Sequence, residues 1–257
     1  GENWAEKVSC EIAHLLGLPH AHYDLAVCNG RHGVSTPSMV PDEGRLILGN
    51  ELLAWSFELY DPVAAYRAGQ HTFRRVVAVL RNPEIRTPLG WVCPADVSGA
   101  VGVFTGYLLL DALVGNQDRH HENWGLIYTQ DSGLSLAPTF DHASSLGRNE
   151  TDAARLERLR THDVGHSVAH YAARARSALY ETPTDKKAMS TLEAFVSALK
   201  VAPEAGRYWL KQLSSIDPEG FSDVLAKIPG DWMSLTALNF AHAMLVTNRN
   251  RLLELDT

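Results

Sequence analysis

The stretch that decides the fold runs from Val97 to Gly125: VSGAVGVFTGYLLLDALV over residues 97–114, then GNQDRHHENWG over residues 115–125. The first part is apolar almost all round, which predicts a helix buried in the core rather than one lying on a surface. The second part gathers the densest polar run of the chain directly behind that helix. A strand is expected next, over Trp124–Tyr128, and a second over Leu134–Ala137, turning around Asp131-Ser132-Gly133. Polar side chains on a loop clamped between buried elements are held in place by a rigid scaffold, as chemistry requires.

Within this block Asp118 and Asn123 are five residues apart, and Asp141 follows 18 residues later in the stretch Leu136-Ala137-Pro138-Thr139-Phe140-Asp141-His142. That is the spacing of phosphoryl-transfer loops. A nucleoside triphosphate brings several negative charges, which Mg²⁺ neutralises through hard oxygen ligands. Asn123 and Asp141 supply such oxygens. Asp118 is then the carboxylate that faces the acceptor hydroxyl, orients it and takes its proton. His120, His121 and His142 beside Asp118 invite a zinc reading, but zinc needs three or four converging ligands and adjacent histidines point apart.

Outward from this block, the period of Trp4, Val8, Ile12, Leu15 and Leu16 predicts a helix stopped at Gly17. Short extended candidates follow at His22–Cys28, Gly33–Val40 and Arg45–Leu48, with Asn29-Gly30 as a hairpin turn. Helices are expected at Leu52–Leu59, Phe73–Leu80, Ala153–Arg160, Val164–Ala178, Lys187–Leu199, Glu204–Leu213 and Trp232–Leu255. The domain reading is a small β-rich part over residues 1–50 and a helical part over 51–257, the latter carrying a catalytic loop (115–125) and a metal loop (136–147). Arg155, Arg158 and Arg160 interleave with acids and read as a solvated helix. Trp55, Trp91, Trp209 and Trp232 read as core or interface aromatics.

The chain of 257 residues is 45% hydrophobic and 21% charged, enough to bury a core. Its net charge of −7 argues against general binding to nucleic acid or anionic membranes. Three scattered cysteines, Cys10, Cys28 and Cys93, exclude a disulfide framework. With no secretory leader and no apolar run of membrane-spanning length, a cytoplasmic location is expected. The first residue is Gly1 and a helix begins almost at once, so the sequence is expected to continue a longer protein.

The block resembles the HipA-like serine/threonine kinases, a branch of the protein-kinase-like fold related to phosphatidylinositol kinases. Asp118-Arg119-His120-His121-Glu122-Asn123-Trp124 is similar to that family's D-x-H-x-x-N-[FW], including its histidine two after the aspartate. Pro138-Thr139-Phe140-Asp141 is similar to its P-x-[FY]-D metal loop. Ala5-Glu6 and Ala13-His14-Leu15-Leu16-Gly17-Leu18-Pro19 resemble its first helix, and Asn239-Phe240 to Leu252-Leu253 resembles its last more loosely.

The resemblance implies an α+β, two-lobed kinase fold and an ATP- and Mg²⁺-dependent transfer to a Ser/Thr of a protein. It implies Asp118 as base with His120 supporting the loop, and Asn123 and Asp141 as metal ligands. Glu6 would pair with a nucleotide-binding lysine, expected upstream with a Gly-rich loop. Adenine would lie near the joining segment Leu46–Leu52, placing Leu48 and Asn50 at the cofactor. The family further implies self-phosphorylation, a toxin role with an antitoxin partner, and substrates such as a translation factor or an aminoacyl-tRNA synthetase. A small-molecule or lipid kinase and a pseudokinase binding module are the rival readings.

Overall fold

A computed structural model describes residues 1–64 and 68–255. Its centre is α4, Gly99–Val114, whose side chains are buried on nearly every face. The remaining helices surround it: α1 (Glu2–Leu15), α2 (Gly49–Ser56), α3 (Phe73–Leu80), α5 (Asp152–Arg160), α6 (Val168–Ala173), α7 (Thr191–Val201), α8 (Pro203–Ser215), α9 (Pro218–Ala226) and α10 (Leu235–Leu253). α7, α8 and α10 pack directly on α4. Glycines in α4 allow the closest approach. A Cβ at Gly106 would stand 2.6 Å from both Leu18 and Trp209. Trp209, fully buried, donates its indole N–H to the Gly102 carbonyl at 2.9 Å. Asn248 of α10 likewise donates to Leu113 O at 3.0 Å.

Two small antiparallel sheets complete the architecture. β1 (Asp24–Cys28) and β2 (Arg31–Ser35) form a hairpin turned by Asn29-Gly30, both at positive φ (50° and 73°). That pair of left-handed residues is what a two-residue turn of matching twist requires. β3 (Arg45–Leu48) does not extend this hairpin. It pairs with β4 (Gly125–Thr129), Leu48 opposite Gly125 and Arg45 opposite Tyr128, and β4 pairs with β5 (Gly133–Leu136). The reason is burial: the hairpin is largely exposed, whereas Ile47 finds an apolar core only beside β4. Gly125 permits that approach, since a Cβ there would lie 2.4 Å from Ile47 O.

Other departures have local causes. The expected helix Val164–Ala178 is a 3₁₀ turn at Val164–His166, then α6, then an extended segment. Ser167 restarts the chain as the cap of α6, accepting from His170 N at 3.2 Å. α9, which the sequence pattern missed, begins at Pro218 behind the cap Asp217. Trp209 is core, but Trp55 is 67% exposed and belongs to no core. Arg155 is not solvated; it is buried, donating to the carbonyls of Gly147 and Arg148 at 3.1 Å. Among the described residues no helix is long and apolar enough to cross a membrane.

Candidate active site

α4 ends at Gly115, whose left-handed conformation (φ 66°) turns the chain sharply into the polar loop. The loop is then held by a residue that sequence reasoning passed over. Arg119 is wholly buried and grips Asp111 of α4 with both ends of its fork, Nε to Oδ2 and Nη2 to Oδ1, each 2.8 Å. Burial opposes a charge there, yet Asp111 outweighs it and raises the guanidinium pKa above its ordinary value. The same guanidinium donates to Asn123 O at 2.6 Å and to Thr139 Oγ at 3.0 Å. One side chain thus fastens the core helix, the polar loop and the approach to Asp141.

Around this anchor the loop closes on itself. Asn116 donates to Asp111 Oδ1 (2.9 Å) and accepts from Asp118 N (3.1 Å). Asn123 Nδ2 donates to Asp118 O at 2.8 Å. Its amide oxygen receives no hydrogen bond among the described residues. His120 Nδ1 accepts from Glu122 N at 3.1 Å, and its Nε2 stands 3.8 Å from Asp118 Oδ1, so His120 braces the loop. His121 turns away to the Tyr60 hydroxyl at 2.6 Å, and burial lowers its pKa.

Asp141 has φ 57°, a left-handed conformation uncommon for a residue other than glycine. Its N–H meets the Tyr23 hydroxyl at 3.3 Å, and burial raises the phenol's pKa. The next N–H, of His142, donates to Glu6 Oε2 at 2.8 Å. Glu6, 3% exposed, keeps its other oxygen without a hydrogen bond among the described residues, with His142 Nδ1 at 3.5 Å. Burial pushes the Asp141 carboxyl above its ordinary pKa, and the charges of Glu6 and Asp118 push it further.

The structure brings Glu6, Asp118, Asn123 and Asp141 to one region, but Glu6 and Asp141 open into one hollow, Asp118 into another, and buried Asn123 lines neither. Glu6, Tyr23, Val34, Phe140 and Asp141 line an open cleft of about 610 Å³ under the β1–β2 hairpin. Asp118 and His120 line a separate cavity of about 240 Å³ with Gln117, Arg176 and Ala178. Leu48 and Asn50 line neither. Leu48 is the β3 partner of Gly125, while Asn50 donates its backbone N–H to His121 O (2.9 Å) and its side-chain amide to Pro62 O (3.1 Å). Both thus adjoin the 121–125 end of the polar loop. A further hollow of about 490 Å³ at the N-terminal ends of α4 and α8 holds none of these residues.

By sequence, the chain matches no family model and no curated protein. By structure it is similar to the Helicobacter pylori proinflammatory kinase CtkA, with a TM-score of 0.73 at 20% identity, over 99% of this chain and 84% of that one. The chain shares the fold of that kinase. It is also similar to the Shewanella oneidensis MR-1 toxin–antitoxin system HipA, solved with HipB and its operator DNA. There the TM-score is 0.57 at 12% identity, over 98% of this chain and 58% of that chain. The kinase-like fold expected from the 115–147 block is therefore present. Its small sheets and surrounding helices agree with that expectation.

Proposed function

We propose that the chain is an ATP- and Mg²⁺-dependent protein serine/threonine kinase, its hairpin and α1 forming a small lobe over the helical one. The observation that carries this is the Asp118–Asn123–Asp141 arrangement, locked by Arg119, within a fold shared with the kinase CtkA. ATP would occupy the cleft beneath the hairpin, and the acceptor hydroxyl the cavity beside Asp118. The hydroxyl oxygen bonds to the γ-phosphorus, the bond to the β–γ bridging oxygen breaks, ADP leaves, and Asp118 takes the hydroxyl proton.

The residues present fit Mg²⁺: Asp141 is a carboxyl crowded by Glu6 and Asp118, and Asn123 offers a free amide oxygen. Asn123 and Asp141 would hold the ion, which supplies neutralisation of phosphate charge. Glu6 offers its unpartnered oxygen to a cationic side chain, the role the resemblance gives to a nucleotide-binding lysine. Lys7 does not fill that role, being turned to Glu11 (2.6 Å) and Asp24 (3.2 Å). We place the reaction in the cytoplasm, with a protein substrate such as a translation factor or aminoacyl-tRNA synthetase. The HipA neighbour is solved with HipB, which supports an antitoxin partner here.

The test is phosphate incorporation from γ-labelled ATP into the protein itself and into a cell lysate, with Asp118→Ala in parallel. General-base loss of about 10²–10⁴-fold is expected for the variant. Equal incorporation by Asp118→Ala, or none by the wild-type protein in Mg²⁺, overturns the proposal.

A further inference from the structure

The cavity beside Asp118 has a wall made of backbone. After α6 the chain passes through Ala175–Tyr180, bridged to Ser190 at Arg176 and to Thr72 at Tyr180 with a bend at Ala178, and its two sides differ. On one side Ser177 N donates to Met189 O (2.9 Å), Thr191 N to Ala175 O (3.0 Å) and Met189 N to Leu179 O (2.9 Å). The opposite side is fixed only at its far end, where Tyr180 exchanges backbone bonds with His71 and Phe73 at 3.0 Å. His71 is fully buried; its Nε2 accepts from the Trp124 indole at 3.1 Å, so its Nδ1 carries the proton and donates to Ala178 O at 3.1 Å. Burial lowers the His71 pKa to about 3, so this neutral clamp holds through the physiological range.

What is left open on that side faces the cavity. Among the described residues the N–H and C=O of Arg176 and the N–H of Ala178 have no partner. Arg176, Ala178, Asp118 and His120 line the same hollow. An open backbone edge is a template for one more strand, whose main chain supplies the missing donors and acceptors. The Arg176 side chain is half exposed, tied loosely to Ala188 O at 3.2 Å and to Glu193 at 3.7 Å. An exposed pair of that kind is weak enough to be exchanged for another carboxylate.

We propose that the edge Arg176–Ala178 takes the acceptor segment of a protein substrate as an added β-strand, with Arg176 selecting an acidic side chain next to the hydroxyl that Asp118 receives. This names the substrate class for the kinase reading above and rests on it. One residue of the acceptor exchanges both backbone bonds with Arg176, and a neighbouring carbonyl accepts from Ala178 N–H. A small-molecule or lipid acceptor would make no such use of the edge.

The experiment reads binding without phosphotransfer. Fluorescein-labelled heptapeptides with a central serine flanked by Asp or by Lys are titrated with the full protein by anisotropy. The Asp-flanked peptide is expected to bind at least about tenfold tighter, which corresponds to about 1.4 kcal/mol. Methylating its amide nitrogens one at a time should find one position, close to the serine, that loses about tenfold. Arg176→Glu should reverse the preference towards the Lys-flanked peptide. Equal binding of the two peptides, or tolerance of methylation everywhere, overturns the inference. Discrimination by binding without phosphate incorporation supports the edge and counts against the kinase reading, so the two failures are told apart.

Discussion

Arg119 and Asp111 meet as a bidentate pair, both contacts at 2.8 Å, where neither side chain reaches water. Asp111 belongs to the core helix and Arg119 follows Asp118 directly, so the pair joins the buried helix to the loop proposed to be catalytic. Removing one partner leaves an uncompensated buried charge, at a cost of about 3–5 kcal/mol. Arg119→Met and Asp111→Leu should each lower the urea midpoint by that measure. The double variant should recover much of the loss, because an apolar pair can fill the space. Phosphotransfer should stay lost in it, since Asn123 O and Thr139 no longer share a donor. Full activity in a stable double variant would show that the loop needs no such anchor.

Asp141 is expected to behave as a metal ligand waiting for charge. Its folded pKa is raised by burial first, then by Glu6 and Asp118. An acid that holds its proton more tightly when folded stabilises the fold below its ordinary value of 3.8, and that stabilisation is lost as pH rises through the raised value. In EDTA near neutral pH, Asp141→Asn should therefore melt above wild type, with the gap closing as pH falls. In Mg²⁺ and ATP the order should reverse, with only the wild type gaining stability. Differential scanning calorimetry over a pH series checks both arms; a variant that still gains from Mg²⁺ removes Asp141 from the metal site.

The elements of the block proposed to carry the chemistry were readable because their signal is local: an all-apolar helix, a burst of polar residues, a hairpin, then Phe140-Asp141. What holds that block was less readable. Arg119 looks like any loop arginine until its partner is known. The available clue was Asp111, a lone acid inside an apolar stretch, which a buried helix accepts only when paired. Glu6 came from resemblance, and its bond to His142 N spans 136 residues, beyond any local pattern. β3 was legible as a strand but not its neighbour, since pairing between Leu48 and Gly125 depends on where the core lies. Leu48 and Asn50 were drawn towards the cofactor by their position between predicted parts; the structure shows their bonding to the 121–125 segment and Pro62.

The close packing of α4 gives a stability test independent of chemistry. A side chain at Gly106 would need the space held by Leu18 and Trp209, each 2.6 Å from its Cβ. Overpacking typically costs about 1–3 kcal/mol, and here two rigid neighbours oppose relaxation. Gly106→Val should lower the melting temperature and shift Trp209 fluorescence, whereas Gly30→Ala, in the exposed turn with nothing within 4 Å, should leave that fluorescence unchanged. An unmoved melting temperature in Gly106→Val would mean α4 and α8 are not in contact at Trp209.

Glu6 separates a structural role from a functional one. Its Oε2 accepts from His142 N at 2.8 Å, which fixes the chain just past Asp141, while its Oε1 is buried without a hydrogen bond. Glu6→Ala orphans the His142 N–H and should cost about 1–3 kcal/mol. Glu6→Gln keeps an oxygen for that N–H and removes only the charge, so its melting temperature should stay near wild type. If the free oxygen serves a cation that grips the nucleotide phosphates, Glu6→Gln should still raise KM for ATP or lower kcat by at least about tenfold, as the loss of a charge-assisted contact does. Steady-state kinetics on the stable Gln variant decides between the two roles. Wild-type KM and kcat there would leave Glu6 as a brace for the metal loop and nothing more.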